Sequence, residues 1–291
     1  MISGFDTALG EITLVLFTTL APSGVVAFIC MGLPVLGRGA SVALRQRLNV
    51  FLGLPLVVAM VGLVASATHL GNPANALYVF LGVGRSPLST EVFCAVVFLA
   101  LAGLYWLYNF VEHPKPQLQR AWLVLAMLAG AVFVAAVGCA YAADTIVSWH
   151  TVYVPLNLML NALVGGPVLT LFGLRFSRWS PLESRVGGML LALSSAALLA
   201  NAGVYVAQGM SVLTMRNYLV SAEQLVPTYG AMATVFFLLA VAGVAVDALP
   251  LMRGRGISVA SAAIASALVF AGIFVMRFAF YMMHMTYGIS L

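Results

Sequence analysis

Charged side chains are scarce in this chain. Only 7% of its 291 residues are Asp, Glu, Lys or Arg, whereas 63% are hydrophobic; a soluble domain carries about 25% charged residues. So few charges exclude a water-soluble domain of this length and predict a polytopic membrane protein. The basic residues form no stripe interleaved with aromatic residues, so the net charge of +5 gives no support to a nucleic-acid-binding function.

Cysteine and histidine are also few, which restricts the possible cofactors. Cys30, Cys94 and Cys139 stand singly in apolar runs, so they form neither a disulfide framework nor the clustered thiolates of an iron–sulfur site. None of the four histidines falls in the middle of an apolar run. We therefore expect neither haem nor an iron–sulfur cluster in this chain, with one haem between His69 and His284 as the open alternative. Zinc spacings, phosphate loops and Ser-His-Asp sets are absent, so no metal ligand is predicted.

Long apolar runs are what the sequence has in abundance. Eight of them reach the roughly 20 residues that a membrane helix needs, near residues 12–33, 50–70, 91–111, 121–142, 154–174, 187–207, 228–249 and 257–281. They lack the alternating polarity of barrel strands. The sequence predicts an all-α, polytopic membrane helical bundle of eight transmembrane helices, in one integral-membrane domain over residues 1–291. The first run is expected to remain as an anchor, because Asp6 and Glu11 stand where a cleavable signal is basic.

Basic residues alternate between the two sides of the predicted bundle. Ten of the thirteen fall in the first, third, fifth and seventh loops: Arg38, Arg45, Arg47, Lys115, Arg120, Arg175, Arg178, Arg185, Arg253 and Arg255. Loops rich in Lys and Arg stay in the cytoplasm, so both termini are predicted to lie outside. Arg85, Arg216 and Arg277 then lie toward the outer side.

Two ionisable residues stand at the outer ends of consecutive spans. His69 closes the second span before Gly71 and Pro73, and Glu91 opens the third after Ser89. Helix capping and the helix dipole explain either residue alone. Together they are predicted to lie at one depth, because consecutive spans are antiparallel, and to form a pair that can exchange protons.

The last span carries three further polar residues on one face. Arg277, Tyr281 and His284 are spaced i, i+4 and i+7. An arginine at this depth needs a partner or water, so Arg277 either snorkels to the headgroups or pairs with Glu91 or Asp144.

Other polar or small residues inside the spans are predicted to serve helix packing. Asn157, Asn161 and Asn201 are expected to make hydrogen bonds between helices. The string Gly165-Gly166-Pro167 predicts a close helix contact with a tolerated kink. Asp247, at the inner end of the seventh span, is expected to meet cytoplasmic water.

Five strings resemble a known family in the same order along the chain. They are His69-Leu70-Gly71-Asn72-Pro73, Ser86-Pro87-Leu88-Ser89-Thr90-Glu91, Gly165-Gly166-Pro167, Leu225-Val226-Pro227-Thr228-Tyr229-Gly230 and Phe280-Tyr281-Met282-Met283-His284-Met285-Thr286. They are similar to strings of the membrane anchor subunit of bacterial dimethyl sulfoxide reductase, nearly end to end. His-Leu-Gly-x-Pro followed by Leu-Ser-x-Glu is the most specific part.

The resemblance implies an eight-helix anchor of the bacterial inner membrane, with periplasmic termini and no haem. Such an anchor binds and oxidises menaquinol near the outer face, in anaerobic respiration. It passes the electrons to a four-cluster iron–sulfur subunit and from there to a molybdopterin catalytic subunit. By the same resemblance His69 is the quinol-site histidine and Glu91 its accompanying carboxylate. Arg277, Tyr281 and His284 are the further quinol-binding residues that we predict.

Two departures and three alternatives accompany this interpretation. The family commonly has Arg where this chain has Asn75, and often an acid where it has Ile273, which leaves the charge balance of the pocket and the terminal substrate open. The related polysulfide or nitrite reductase anchors also use quinol. A proton-coupled transporter needs ionisable residues along the midplane, where this chain has almost none. A purely structural anchor needs no His and Glu at matched depth.

A docking surface for the partner subunits is predicted on the outer side. It consists of the loops at 71–90, 143–153 and 208–227, and includes Arg85 and Arg216.

Overall fold

The structure is a computed structural model that describes residues 3–37, 41–69, 73–179 and 183–286. Arg38, Leu70, Gly71 and Asn72 lie outside the described residues, as does the side chain of Asn75. The described chain is helical, and its only β pairings are two isolated bridges. The helices are α1 Gly4–Gly10, α2 Ile12–Leu36, α3 Val42–Phe51, α4 Gly53–Thr68, a 3₁₀ helix Pro73–Gly82, α5 Pro87–Tyr108, α6 Pro116–Tyr141, α7 Tyr153–Phe176, α8 Glu183–Val212, α9 Ala222–Leu225, α10 Tyr229–Met252 and α11 Val259–Met282.

Eight helical segments of this set are long and apolar enough to cross a membrane, as predicted. The second begins at Val42, eight residues earlier than the apolar run, because Ser41 caps its first turn and accepts a hydrogen bond from the amide of Leu44. This early part, α3, carries Arg45 and Arg47. The apolar run marked the membrane-crossing part, and the capped polar turn before it extends the helix.

Helices α2 and α7 form the centre of the bundle. In each of them 72% of the residues in the most apolar stretch are buried, the highest share among the eight spans. Helix α2 packs against α4, α6, α7 and α11, while α5–α6 and α10–α11 form antiparallel hairpins around this centre. Most residues on α2 and α7 are therefore enclosed by other helices of the protein.

The close contact predicted at Gly165-Gly166-Pro167 is confirmed. A Cβ on Gly166 would lie 2.4 Å from Cγ1 of Val26, and one on Gly165 would lie 2.8 Å from Oγ of Ser23. Helix α7 nevertheless runs through Pro167 without ending. The two glycines thus allow the central helices α2 and α7 to approach more closely than any side chain would permit.

The predicted hydrogen bonds between asparagine-bearing helices are also confirmed. Nδ2 of Asn161 donates to the hydroxyl of Tyr205 at 2.8 Å, and Nδ2 of Asn201 donates to Oδ1 of Asn161 at 2.7 Å. One turn closer to the start of α7, Nδ2 of Asn157 donates to Oε1 of Gln208 at 2.6 Å. These bonds tie α7 to α8 in the absence of a hydrophobic force between membrane helices.

The expectation for Asp247 was wrong. Its side chain is fully buried, and it lies beside the side chain of Ser261 on α11. Gly243, one turn earlier, packs against the backbone of Ala265, so this face of α10 lies against α11. The position of Asp247 near the end of its span predicted that water would reach it. The rotation of α10 about its axis instead places Asp247 in the contact with α11.

Candidate functional site

The predicted site residues lie at one end of the bundle, where several of the spans begin or end. Helices α4, α6 and α11 end there, and α2 and α5 begin there. The loop between α6 and α7 fixes the end of α11: Val147 donates its amide to the carbonyl of Met285 at 3.0 Å, and Trp149 donates Nε1 to the carbonyl of Phe280 at 3.2 Å. The last turn of α11 is thus held against the bundle.

His69 contacts an acid that the sequence patterns did not single out. Nε2 of His69 lies 3.2 Å from Oε2 of Glu11, the residue between α1 and α2. The side chains are 43% and 29% exposed, respectively, so water reaches both. The contact places an imidazole nitrogen and a carboxylate oxygen within ion-pair distance at this end of the bundle.

His284 shares the same acid. Its half-buried ring lies 5.0 Å from the ring of Trp149, centroid to centroid. Burial lowers the pKa of His284 below its ordinary value, while the negative charge of Glu11 opposes that shift. Glu11 therefore acts on two predicted site histidines. We call Glu11, His69 and His284 the outer cluster.

Arg277 lies deeper, inside the bundle. Its side chain is 2% exposed, and Nε donates a hydrogen bond to Oγ1 of Thr18 on α2 at 2.9 Å. The guanidinium carbon lies 4.1 Å above the centre of the Phe280 ring and 5.7 Å from those of Tyr141 and Tyr281. Cation–π contact with three rings partly replaces the lost hydration of the charge.

Tyr141 connects the other buried residues. Its ring packs edge-on against Tyr281 at 6.0 Å, and Glu91, Arg277 and Tyr281 all interact electrostatically with its hydroxyl. Glu91 is 4% exposed and Tyr281 is fully buried. Among the described residues, Oε2 of Glu91 and Nη2 of Arg277 have no hydrogen-bond partner, and the Tyr281 hydroxyl interacts with the side chains of Tyr141, Thr18 and Arg277. We call Thr18, Glu91, Tyr141, Arg277 and Tyr281 the inner cluster.

Two expected pairings are corrected by this arrangement. Within the described part of the chain His69 makes its ion pair with Glu11 and none with Glu91. Arg277 makes an ion pair with neither Glu91 nor Asp144 among those residues, and its burial shows that it does not snorkel to the headgroups. The positions of residues at span ends do not determine their side-chain partners, because those partners depend on how the helices are rotated about their axes.

Glu11, Thr18 and Tyr141 were missed as site residues. Glu11 and Thr18 belong to the start of α2, the helix that is central to the bundle, and Tyr141 ends the fourth span. Thr18 could have been recognised from the sequence, because it is one of three polar residues in the first apolar run, with Thr19 and Ser23. Nothing in the spacing of Glu11 or Tyr141 distinguished them from ordinary residues at span ends.

The described residues contain no group of three or more His, Cys, Asp and Glu side chains that could hold a metal ion. Two buried polar atoms of the inner cluster lack a partner among the described residues, a carboxyl oxygen of Glu91 and a guanidinium nitrogen of Arg277, and the Tyr281 phenol lies beside Arg277. Buried polar groups that lack partners are costly, and together these three can accept from and donate to a hydroxylated ligand.

Eight membrane-spanning helices with ionisable residues collected at one end define a polytopic helical membrane protein with a polar terminal site. The chain belongs to the family of dimethyl sulfoxide reductase anchor subunits, whose profile matches residues 5–283. It is 32% identical to the anaerobic dimethyl sulfoxide reductase chain YnfH of Escherichia coli K12 over 281 residues, 97% of each protein. It is 28% identical to the anaerobic dimethyl sulfoxide reductase C subunit of the same organism over 281 residues, 96% of this protein and 97% of that one. The C subunit of the Haemophilus influenzae enzyme is 27% identical over 286 residues, 98% of this protein and 99% of that one.

Proposed function

We propose that this membrane anchor is the menaquinol-oxidising subunit of a dimethyl sulfoxide reductase-type molybdoenzyme complex in a bacterial inner membrane. The observation that carries the proposal is the shared end of the bundle: His69 and Glu11 form a partly exposed acid–base pair there, beside buried polar atoms that lack partners. Membership of the anchor family supports it. Electrons would pass to a four-cluster iron–sulfur subunit and then to a molybdopterin catalytic subunit.

Quinol oxidation requires an acceptor for each of two protons and a route for two electrons. His69 is suited to accept the first proton, because imidazole changes charge near neutral pH, and Glu11 stabilises the imidazolium that results. Glu91, with its free oxygen, orients the second hydroxyl or relays its proton. Tyr281 and Arg277 shape the slot for the ring, and His284 closes it on the Glu11 side. The electrons leave to the iron–sulfur subunit.

The docking surface belongs to the same proposal. Arg85 and Arg216 are exposed near the ends of the helices at the site, and Tyr218 and Leu219 beside Arg216 are 96% and 72% exposed. Exposed apolar groups next to basic ones are typical of a protein contact. This side of the protein is the one predicted to be periplasmic. A partner subunit bound there would lie near the outer cluster.

The distribution of buried charge weakens the transporter alternative. Among the described residues, the buried ionisable side chains are those of Glu91, Asp247 and Arg277. Each lies within about a turn and a half of a helix end rather than in the middle of its span. A proton-coupled path needs such residues through the midplane. A purely structural anchor would differ from the proposed function by tolerating the loss of His69 and Glu91. An anchor of the polysulfide or nitrite reductase type would differ in the catalytic subunit that it binds.

The test is turnover of the purified complex with a menaquinol analogue. His69→Arg and Glu91→Gln should abolish or strongly lower quinol-driven reduction of dimethyl sulfoxide, while a water-soluble donor that reduces the partner subunits directly supports full activity. His113→Gln, at an exposed histidine between α5 and α6 at the opposite end of the bundle, is the control. Full quinol-driven activity of His69→Arg contradicts the proposal and favours a structural anchor. Mass spectrometry of the purified complex identifies the catalytic partner and separates the related reductase types.

A further inference from the structure

A basic groove lies at the opposite end of the bundle from the outer cluster. It has a volume of about 590 Å³ and forms where α3, the end of α7 and the start of α11 meet. Helix α7 starts beside the outer cluster and runs 24 residues to Phe176, roughly 36 Å at 1.5 Å per residue. The groove is therefore on the side that the charge pattern predicts to be cytoplasmic.

The lining of the groove combines cations with aromatic rings. Arg47, Arg175 and Arg178 line it together with Phe51 and Phe176. None of the lining side chains that the structure describes is acidic. By contrast, a second cavity of about 350 Å³ on this side has Arg45 and Arg120 in its lining together with Glu112. Arg175 has a partner in the structure, but Arg47 and Arg178 alone, with no acid among the described lining residues, already give this groove more positive charge than the second cavity has. The N-terminus of α11 at Val259 adds to that charge.

Arg178 occupies this groove in an unfavourable backbone conformation. Its φ of 56° makes it the one non-glycine residue with positive φ in the described part of the protein, at a position after a helix end where glycine is usual. The conformation is held because Trp179 is buried and its amide donates to the carbonyl of Leu174 at 3.1 Å. Backbone strain at a side chain that lines a groove points to a role for that side chain.

The two phenyl rings distinguish the class of anion. Phe51 and Phe176 meet edge to face with 5.5 Å between ring centres, and Phe176 is half exposed. A free inorganic anion gains nothing from such rings, whereas the acyl chains below a lipid head group pack on them. Basic pockets between the cytoplasmic ends of membrane helices are suited to anionic lipid head groups.

We propose that this groove binds an anionic phospholipid, with Arg47 and Arg178 on the phosphate and Phe51 and Phe176 against the adjoining acyl chains. The site is independent of the quinol proposal, because it lies at the other end of the bundle and shares no residue with either cluster.

The experiment is native mass spectrometry of the full-length protein, delipidated in mild detergent and titrated with dioleoyl phosphatidylglycerol or dioleoyl phosphatidylcholine. The unaltered protein should prefer phosphatidylglycerol. Arg47→Gln with Arg178→Gln should weaken that binding roughly 30-fold, on the basis of about fivefold for each basic residue near the surface. Arg253→Gln with Arg255→Gln removes the same charge from exposed positions outside the groove and should leave binding unchanged.

Four results would overturn the proposal. If the groove variant and the unaltered protein bind phosphatidylglycerol with equal affinity, the groove is not the lipid-binding site. Equal binding of both lipids removes the preference for anions, and complete displacement by millimolar inorganic phosphate identifies a general anion site. Loss of co-purifying subunits in the groove variant with lipid binding intact identifies an acidic protein surface as the occupant instead.

A second variant separates loss of binding from loss of folding. Arg178→Gly removes the guanidinium and places at φ 56° the residue that tolerates it best. Its thermal stability in lipid-free detergent should equal or exceed that of the unaltered protein, while its affinity for phosphatidylglycerol falls about fivefold. Unchanged affinity in this stably folded variant contradicts the proposal.

Discussion

Nε2 of His69 and Oε2 of Glu11 lie 3.2 Å apart, and this contact links two segments that are 58 residues apart in the sequence. Helix α4 brings His69 to the end of the bundle, and the break between α1 and α2 presents Glu11 to it. Glu11 also acts electrostatically on His284. The acid is thereby a common neighbour of two histidines from different spans.

Glu11→Gln tests this relationship directly. Loss of the carboxylate should lower quinol-driven turnover roughly tenfold. The variant loses one charge-assisted contact with His69, which contributes about 1.4 kcal/mol, and that free energy corresponds to a tenfold change in rate. Asp6→Asn, in the neighbouring helix α1, should have little effect. In a His69→Gln background, Glu11→Gln should cause no additional loss, since coupled residues are not additive. Additive losses would show that Glu11 acts independently of His69.

Thr18→Val tests the anchoring of Arg277. The substitution keeps the shape of the side chain but leaves Nε of a buried guanidinium without its acceptor, which should cost about 1–3 kcal/mol. Thermal unfolding in detergent measures the loss.

Thr19→Val is the control for that measurement. Thr19 is equally buried, and among the described residues its hydroxyl bonds only to the carbonyl of Val15 in its own helix. This change should cost less than the change at Thr18. Equal losses would show that the Arg277 contact contributes nothing specific.

Gly4→Ala should displace α1 and with it Glu11. A Cβ at Gly4 would lie 2.1 Å from the carbonyl oxygen of Leu225 and 2.8 Å from that of Met282, so the backbone has to move, at a cost of about 1–3 kcal/mol. We expect lower thermal stability and lower quinol-driven turnover. A Cβ at Gly10, in the same short helix, meets no atom of the described residues within 4 Å, so Gly10→Ala should be neutral or slightly stabilising. A tolerated Gly4→Ala would show that α1 does not position Glu11.

His284 predicts how stability depends on pH. Because burial lowers the pKa of His284 from its ordinary 6.5, the unfolded protein binds a proton more readily than the folded protein. Its contribution to stability is therefore complete above about pH 6.5 and is lost as the pH falls below it. His284→Gln should flatten this acid-side decline in unfolding temperature, whereas His150→Gln, at an exposed histidine, should leave it unchanged. An identical decline in all three proteins would contradict the assignment.

Some features of the site followed from local sequence. The i, i+4, i+7 spacing placed Arg277, Tyr281 and His284 at one end of the last helix, and the structure places all three at the site. The roles of the asparagines followed because a buried amide in lipid has to find a partner on another helix. These inferences need only helix geometry and the cost of an unpaired polar group.

The pairings could not be inferred in that way. Glu91 and Asp247 both face the interior because of the rotation of α5 and α10 about their axes. Hydrophobic periodicity does not report this rotation in a membrane helix, since lipid and protein are equally apolar surroundings for it. For the same reason Glu11 and Tyr141 had no visible signature.

The sequence by itself determined the class of protein, the eight membrane-spanning segments and the end of the bundle at which ionisable residues collect. The bilayer makes these features local, because each span must satisfy its own backbone hydrogen bonds and reach a fixed length. Tertiary packing alone decided that His69 meets Glu11, that Arg277 lies on three aromatic rings with Thr18 as its acceptor, and that Glu91 is buried. Those contacts join side chains from different helices, and only the close packing of α2, α7 and α11 fixes which faces meet.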